Sequence, residues 1–88
     1  MKIFKLLTLK GTWLIVLNLY RHGPMRYSEI VKIVGYSTTA NRALKALERM
    51  GFIEKQALTE PYRPVIYSLT EKGKKLARIL EQLESLDM

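Results

Sequence analysis

Apolar positions recur along this chain with several distinct periods, and each change of period falls on a glycine, a proline or a small polar residue. In residues 2–9, Ile3, Phe4, Leu6 and Leu7 are set around Lys2 and Lys5, which predicts a short amphipathic helix. Thr12 is placed to cap a second helix over residues 13–21, where Trp13, Leu14, Val16, Leu17 and Tyr20 recur at helical spacing. Ile15 and Leu19 widen that stripe to most of the circumference, so this helix is expected to be buried on several sides. Gly23-Pro24 stops it, and Met25-Arg26-Tyr27 reads as a short extended piece. Ser28 is placed to cap a helix over residues 29–34, with Ile30, Ile33 and Val34 on one face. Gly35-Tyr36 makes a tight turn, and Ser37 caps the helix that follows.

That helix, over residues 38–50, carries the most information. At 100° per residue, Ala40, Leu44 and Leu47 fall within about 60° of arc. Thr38, Arg42, Lys45 and Arg49 fall within a similar arc on the opposite side, flanked by Thr39 and Asn41. The exposed stripe contains no acid; Glu48 falls toward the core edge. Gly51 ends the helix. Two runs rich in β-branched and aromatic residues follow, 52–57 and 65–69, joined by a proline-containing segment with Tyr62 and Arg63. They predict a hairpin with a long loop. Thr70 then caps a last helix over residues 71–86, with Leu76, Ile79, Leu83 and Leu86 in 3-4-3 spacing and Leu80 beside them.

Two helices joined by a short glycine-containing turn are the helix-turn-helix signature, and a hairpin after them makes the winged variety. The expected fold class is therefore α+β and mostly helical: a winged helix-turn-helix over residues 28–50, a two-stranded wing over 52–69, and extra N- and C-terminal helices. With 88 residues, one domain is expected, since two cores would leave each half near the lower limit for unaided folding.

Charge sharpens this picture. The formal net charge is +7, and residues 1–50 carry nine Lys or Arg against two acids, while residues 51–88 carry six of each sign. The surplus thus lies in the stretch that ends with the acid-free helix, as an anion-binding face requires. Arg42 can grip a guanine edge and Asn41 an adenine edge; Thr38 and Thr39 can meet a thymine methyl or a phosphate. Lys45 and Arg49 are placed for phosphate oxygens, as are the backbone amides near Ser37. Tyr62 and Arg63, between Pro61 and Pro64, suit a probe of the adjacent minor groove. The reading of the residues is sequence-specific binding of double-stranded DNA, with a winged-helix protein–protein module of a transcription complex as the alternative.

Catalysis finds little support. His22, the single histidine, stands before Gly-Pro at a helix end, and no pair of histidines or acids has metal-ligand spacing. No enzyme activity, metal or cofactor is expected. The chain has no cysteine, and its longest uncharged stretch, residues 11–20, is about half of what spans a bilayer. No membrane partner and no signal peptide are therefore expected, and a cytoplasmic location is. No residue pattern calls for a small-molecule effector, although an apolar site near Trp13 and Tyr67 could hold one. The leucine ridge of the last helix either packs on its own domain or, with Ile3, Phe4 and Leu7, builds a homodimer interface comprising Leu76, Ile79, Leu80, Leu83 and Leu86.

Four blocks, Gly11-Thr12-Trp13, Gly23-Pro24-Met25-Arg26-Tyr27-Ser28-Glu29-Ile30, Leu44 to Ile53, and Val65 to Gly73, resemble the HxlR-type winged-helix transcriptional regulators. That family reads roughly G-x-W, G-P-x-R-F-x-E-L, L-x-x-L-x-x-x-G-L-I and V-x-Y-x-L-T-x-x-G in the same order. The last two blocks are shared with MarR-like and PadR-like regulators, so the first two are the more specific. The resemblance implies homodimers on near-palindromic operators, with residues 38–49 as recognition helix and 58–64 as wing. Members commonly carry a sensing cysteine before the first helix. This chain has none, which excludes that mode of sensing here.

Overall fold

A computed structural model describes residues 2–57 and 65–87. In chain order the elements are α1 (Lys2–Thr8), α2 (Thr12–His22), β1 (Met25–Arg26), α3 (Tyr27–Val34), α4 (Ser37–Arg49), β2 (Ile53–Ala57), β3 (Val65–Leu69) and α5 (Glu71–Ser85). The winged helix-turn-helix of mixed α+β class, with a helix added at each end, is what the structure shows. The hairpin β2–β3 is joined by a third strand: β1 pairs antiparallel with β3, Met25 opposite Tyr67 and Arg26 opposite Ile66. The sheet order is β1-β3-β2, so the wing is rooted in the chain that leads into the helix-turn-helix.

Helix starts differ from the sequence reading by one or two residues, each for a local reason. Thr12 is not a cap. It is the first residue of α2, after Gly11 in left-handed conformation, and it is fully buried. Its hydroxyl lies 3.1 Å from the Leu6 carbonyl and 3.0 Å from that of Leu9, so it serves the open C-terminal end of α1 instead. Ser28 and Ser37 likewise lie inside α3 and α4, whose caps are Arg26 and Tyr36 in extended conformation. At α3 the Glu29 carboxylate reaches back to accept from the Arg26 backbone N–H at 3.0 Å, doing at N3 what a capping side chain would do. Gly35, at φ +101°, makes the turn between α3 and α4, a conformation that side chains rarely adopt.

The core lies where α2 crosses beneath everything else. Ile15, Val16, Leu17 and Leu19 of α2 pack with Ile30 of α3, Leu44 and Leu47 of α4, Phe52, Ile53 and Tyr67 of the sheet region, and Leu76 and Leu80 of α5. Trp13 and Tyr20, which the periodicity places on the apolar stripe of α2, are exposed. Removing these twelve aliphatic and aromatic side chains from water, at about 1.5–3 kcal/mol each, is what offsets the ordering of the chain.

The start of α5 is fastened to the end of α4. The Thr70 side chain accepts from the Gly73 N–H at 3.1 Å and donates to the Gly51 carbonyl at 2.6 Å. The Lys72 ammonium donates to the Met50 carbonyl at 2.7 Å and sits over the Phe52 ring. Thr70 thus caps α5 as its position implied, and the same side chain ties the cap to the turn after α4.

Candidate nucleic-acid interface

The α4 helix is held by a buried stripe of Ala40, Ala43, Leu44 and Leu47. Ala43 lies beside Gly11, at the entry to α2. The centre of the buried face lies between Leu47 and Ala40, rotated away from Leu44. That rotation carries Glu48 into solvent, not to the core edge, although it remains near enough to Tyr67 to disfavour ionisation of the phenol.

Directly opposite the stripe, Thr38, Arg42, Lys45 and Arg49 are all exposed, and so are Ser37 and Asn41; Thr39 is half-buried. Among the described residues no ion pair engages Arg42, Lys45 or Arg49. The face is therefore a cationic, hydrogen-bonding surface with its charges unspent. Arg49, at the last turn, also borders a groove of about 800 Å³ between α1 and α4 that Lys2, Lys5 and Lys72 help to line. Tyr62 and Arg63, expected on the wing, lie outside the described residues.

Two tyrosines belong to this surface beyond the residues that the sequence singles out. Tyr36, the residue that caps α4, is 68% exposed beside Ser37. Tyr27, the first residue of α3, packs its ring on the core and donates its hydroxyl to Asn41 Oδ1 at 2.7 Å. Helical periodicity cannot reveal a bond between two helices; the signal in the sequence was a tyrosine where the family pattern has phenylalanine.

The apolar residues of the two end helices divide. Leu76 and Leu80 are buried in the chain's own core, and Ile3 and Leu7 are half-buried. Phe4, Ile79, Leu83 and Leu86 are more than half exposed. What reads in sequence as one ridge is two: an inner row through Gly73, Leu76, Ala77 and Leu80, and an outer row through Ile79, Leu83 and Leu86. A concavity bordered by Phe4 and Leu7 of α1 and by Ile79 and Leu83 of α5, with Lys72 and Lys75 also lining it, runs between the two helices. On the other side of α5, Arg21 at the end of α2 bonds to Glu81 and Glu84, and these hydrogen bonds, Glu84 first, hold its guanidinium above the usual pKa. Trp13 borders a surface hollow with Leu17 and Leu83, while Tyr67 is buried in the sheet. Among the described residues there is no cluster of His, Cys, Asp or Glu able to hold a metal, and no single helix is long and apolar enough to cross a membrane.

This arrangement, with a short-turn helix pair, a hairpin behind it and a bare cationic face on the second helix, defines a winged helix-turn-helix protein of the transcriptional-regulator class. The chain belongs to the HxlR-like helix-turn-helix family, whose model matches residues 6–88. It is similar to the HTH-type transcriptional regulator YodB of Bacillus subtilis, with 34% identity over 74 residues, covering 81% of this chain and 65% of that protein. It also resembles an HTH-type transcriptional regulator of Methanothermobacter thermautotrophicus, with 37% identity over 76 residues, covering 83% of this chain and 58% of that protein. Among solved structures, quinone-bound YodB superimposes with a TM-score of 0.82 at 31% identity, over 98% of this chain and 90% of that one. A MarR-family regulator of Porphyromonas gingivalis does so with a TM-score of 0.82 at 26% identity, over 99% and 86%. The chain spans between 58% and 70% of the length of the curated relatives it matches.

Proposed function

We propose that this chain is a DNA-binding transcriptional regulator that acts in the cytoplasm as a homodimer, with α4 in the major groove and the wing against the neighbouring minor groove or backbone. The observation that carries the reading is the α4 face itself. Arg42, Lys45 and Arg49 stand exposed, and among the described residues without acidic partners, on the side opposite Ala40, Ala43, Leu44 and Leu47. A solvated helix face normally mixes signs; this one is arranged to meet phosphates and base edges.

The division of labour follows from position along the helix. Thr38 and Arg42, in the first half of α4, reach base edges, while Lys45 and Arg49 end on phosphate oxygens. The exposed row Ile79, Leu83, Leu86 with Phe4 supplies an apolar surface for a second copy. Related by a two-fold axis, two α4 helices would enter successive major grooves about 34 Å apart. The quinone-bound state is that of YodB; this chain has no cysteine.

Selection of bound duplexes from a random pool, followed by titration against salt, tests the reading. A near-palindromic site is expected, with log K falling against log salt by about 0.9 per phosphate neutralised. Arg42→Ala is expected to cost about 1–3 kcal/mol at that site and to flatten preference at one base pair. Absence of a shift with any duplex at low salt would favour a protein partner for the same face.

A further inference from the structure

We infer that Tyr27 is a positioning residue that decides which base edge Asn41 reads. The inference rests on the reading of α4 as the helix that enters the major groove. A bidentate asparagine–adenine pair needs both ends of the amide: the oxygen accepts from adenine N6 and the nitrogen donates to N7. In this chain the oxygen is already engaged. Tyr27 donates its hydroxyl to Asn41 Oδ1 at 2.7 Å, from a ring that is fixed by packing on the core. Tyr27 takes one of the two lone pairs of that oxygen and turns it toward α3, so the group that exposed Asn41 offers most freely to DNA is Nδ2 with its two hydrogens.

Held this way, Asn41 is biased toward donating rather than toward two-way reading. It suits edges that present acceptors side by side, which in the major groove means guanine with N7 and O6. A phenylalanine in place of Tyr27 keeps the packing and releases the amide. Tyr27 therefore acts on specificity through Asn41 without itself touching the nucleic acid.

Base preference is the readout, because a structural role alone would not change it. Duplexes selected from a random pool by the full chain, by Tyr27→Phe and by Asn41→Asp give preference position by position, with thermal unfolding to compare the folds. The wild-type chain is expected to favour guanine at the base pair that faces Asn41. Tyr27→Phe is expected to shift that one position toward adenine by about 3- to 10-fold, the worth of one hydrogen bond, with other positions unchanged. Asn41→Asp keeps an acceptor for Tyr27 but removes the amide donors, and is expected to abolish the guanine preference. A Tyr27→Phe profile identical to wild type, or an Asn41→Asp profile that keeps guanine, would overturn the inference while leaving DNA binding intact. If the wild-type chain selects no duplex at all, the DNA-binding reading itself falls, and this inference with it.

Discussion

The carbonyl oxygen of Phe52 occupies the space that a side chain on Gly73 would need. A Cβ built on Gly73 would lie 2.0 Å from that oxygen and 3.0 Å from Leu69 Cδ2. The same oxygen accepts the Thr70 N–H at 3.1 Å, so it cannot move aside without breaking the first turn of α5 from the sheet. Glycine within a helix ordinarily weakens it relative to alanine by about 0.5–1 kcal/mol. Here it is what lets α5 approach the root of the wing.

Gly73→Ala is accordingly expected to destabilise the fold by about 1–3 kcal/mol, the range for overpacking a well-filled core, and not to stabilise it as a helix propensity scale would have it. Urea unfolding checks the sign. A more stable variant would show that α5 and the wing root are not in this contact.

Thr12→Val keeps the shape of a fully buried side chain and removes the hydroxyl that faces Leu6 O and Leu9 O. The Leu6 and Leu9 carbonyls would keep the backbone N–H groups of Leu9 and Thr12 and lose the hydroxyl that they share, at a cost of about 0.5–1.5 kcal/mol. The effect is expected to be local. Hydrogen exchange should quicken in α1 well before it does in α2.

Tyr67, buried in the middle of β3, has its phenol pKa raised above the ordinary value of 10.0, first by burial and then by the nearby Glu48 carboxylate. Its folded form therefore holds the proton more tightly than its unfolded form. The resulting stability is fully present below pH 10 and is lost as pH rises through the higher folded value. Chemical denaturation midpoints are expected to fall with rising pH in that alkaline window, and Tyr67→Phe is expected to flatten that part of the dependence.

A charge in the outer row of α5 tests the proposed dimer. Leu83 is 56% exposed, so Leu83→Asp is expected to leave the fold of the single chain intact while preventing two copies from meeting. Sedimentation at tens of micromolar should show a dimer for the wild-type chain and a monomer for the variant. A wild-type monomer at those concentrations would sink the dimer proposal directly.

Much of this protein was legible from residue order. Helical periods placed every helix, and runs of β-branched and aromatic residues placed the two strands of the hairpin, because each element must show apolar side chains to a common core. The stripe of Thr38, Arg42, Lys45 and Arg49 was legible for the same reason: a face opposite a buried one is exposed, whatever the rest of the fold. Thr70 as a cap was legible because capping is a local bond, from its side chain to Gly73 three residues on.

Only the tertiary structure decided relations between elements distant in sequence. That β1 becomes a third strand follows from its pairing with β3, forty residues later. Thr12 looked like a cap because threonine often is one; the packing of α1 beside it gave the hydroxyl other carbonyls to satisfy. One leucine ridge became two because α2 and the wing cover Leu76 and Leu80 and stop short of Ile79, Leu83 and Leu86. The bond from Tyr27 to Asn41 joins side chains fourteen residues apart on separate helices, where no period relates them. Sequence by itself determined which faces are buried and which carry charge, since those are properties of single elements. Which groups touch across elements depended on how the elements cross, and there the chemistry of the site was set.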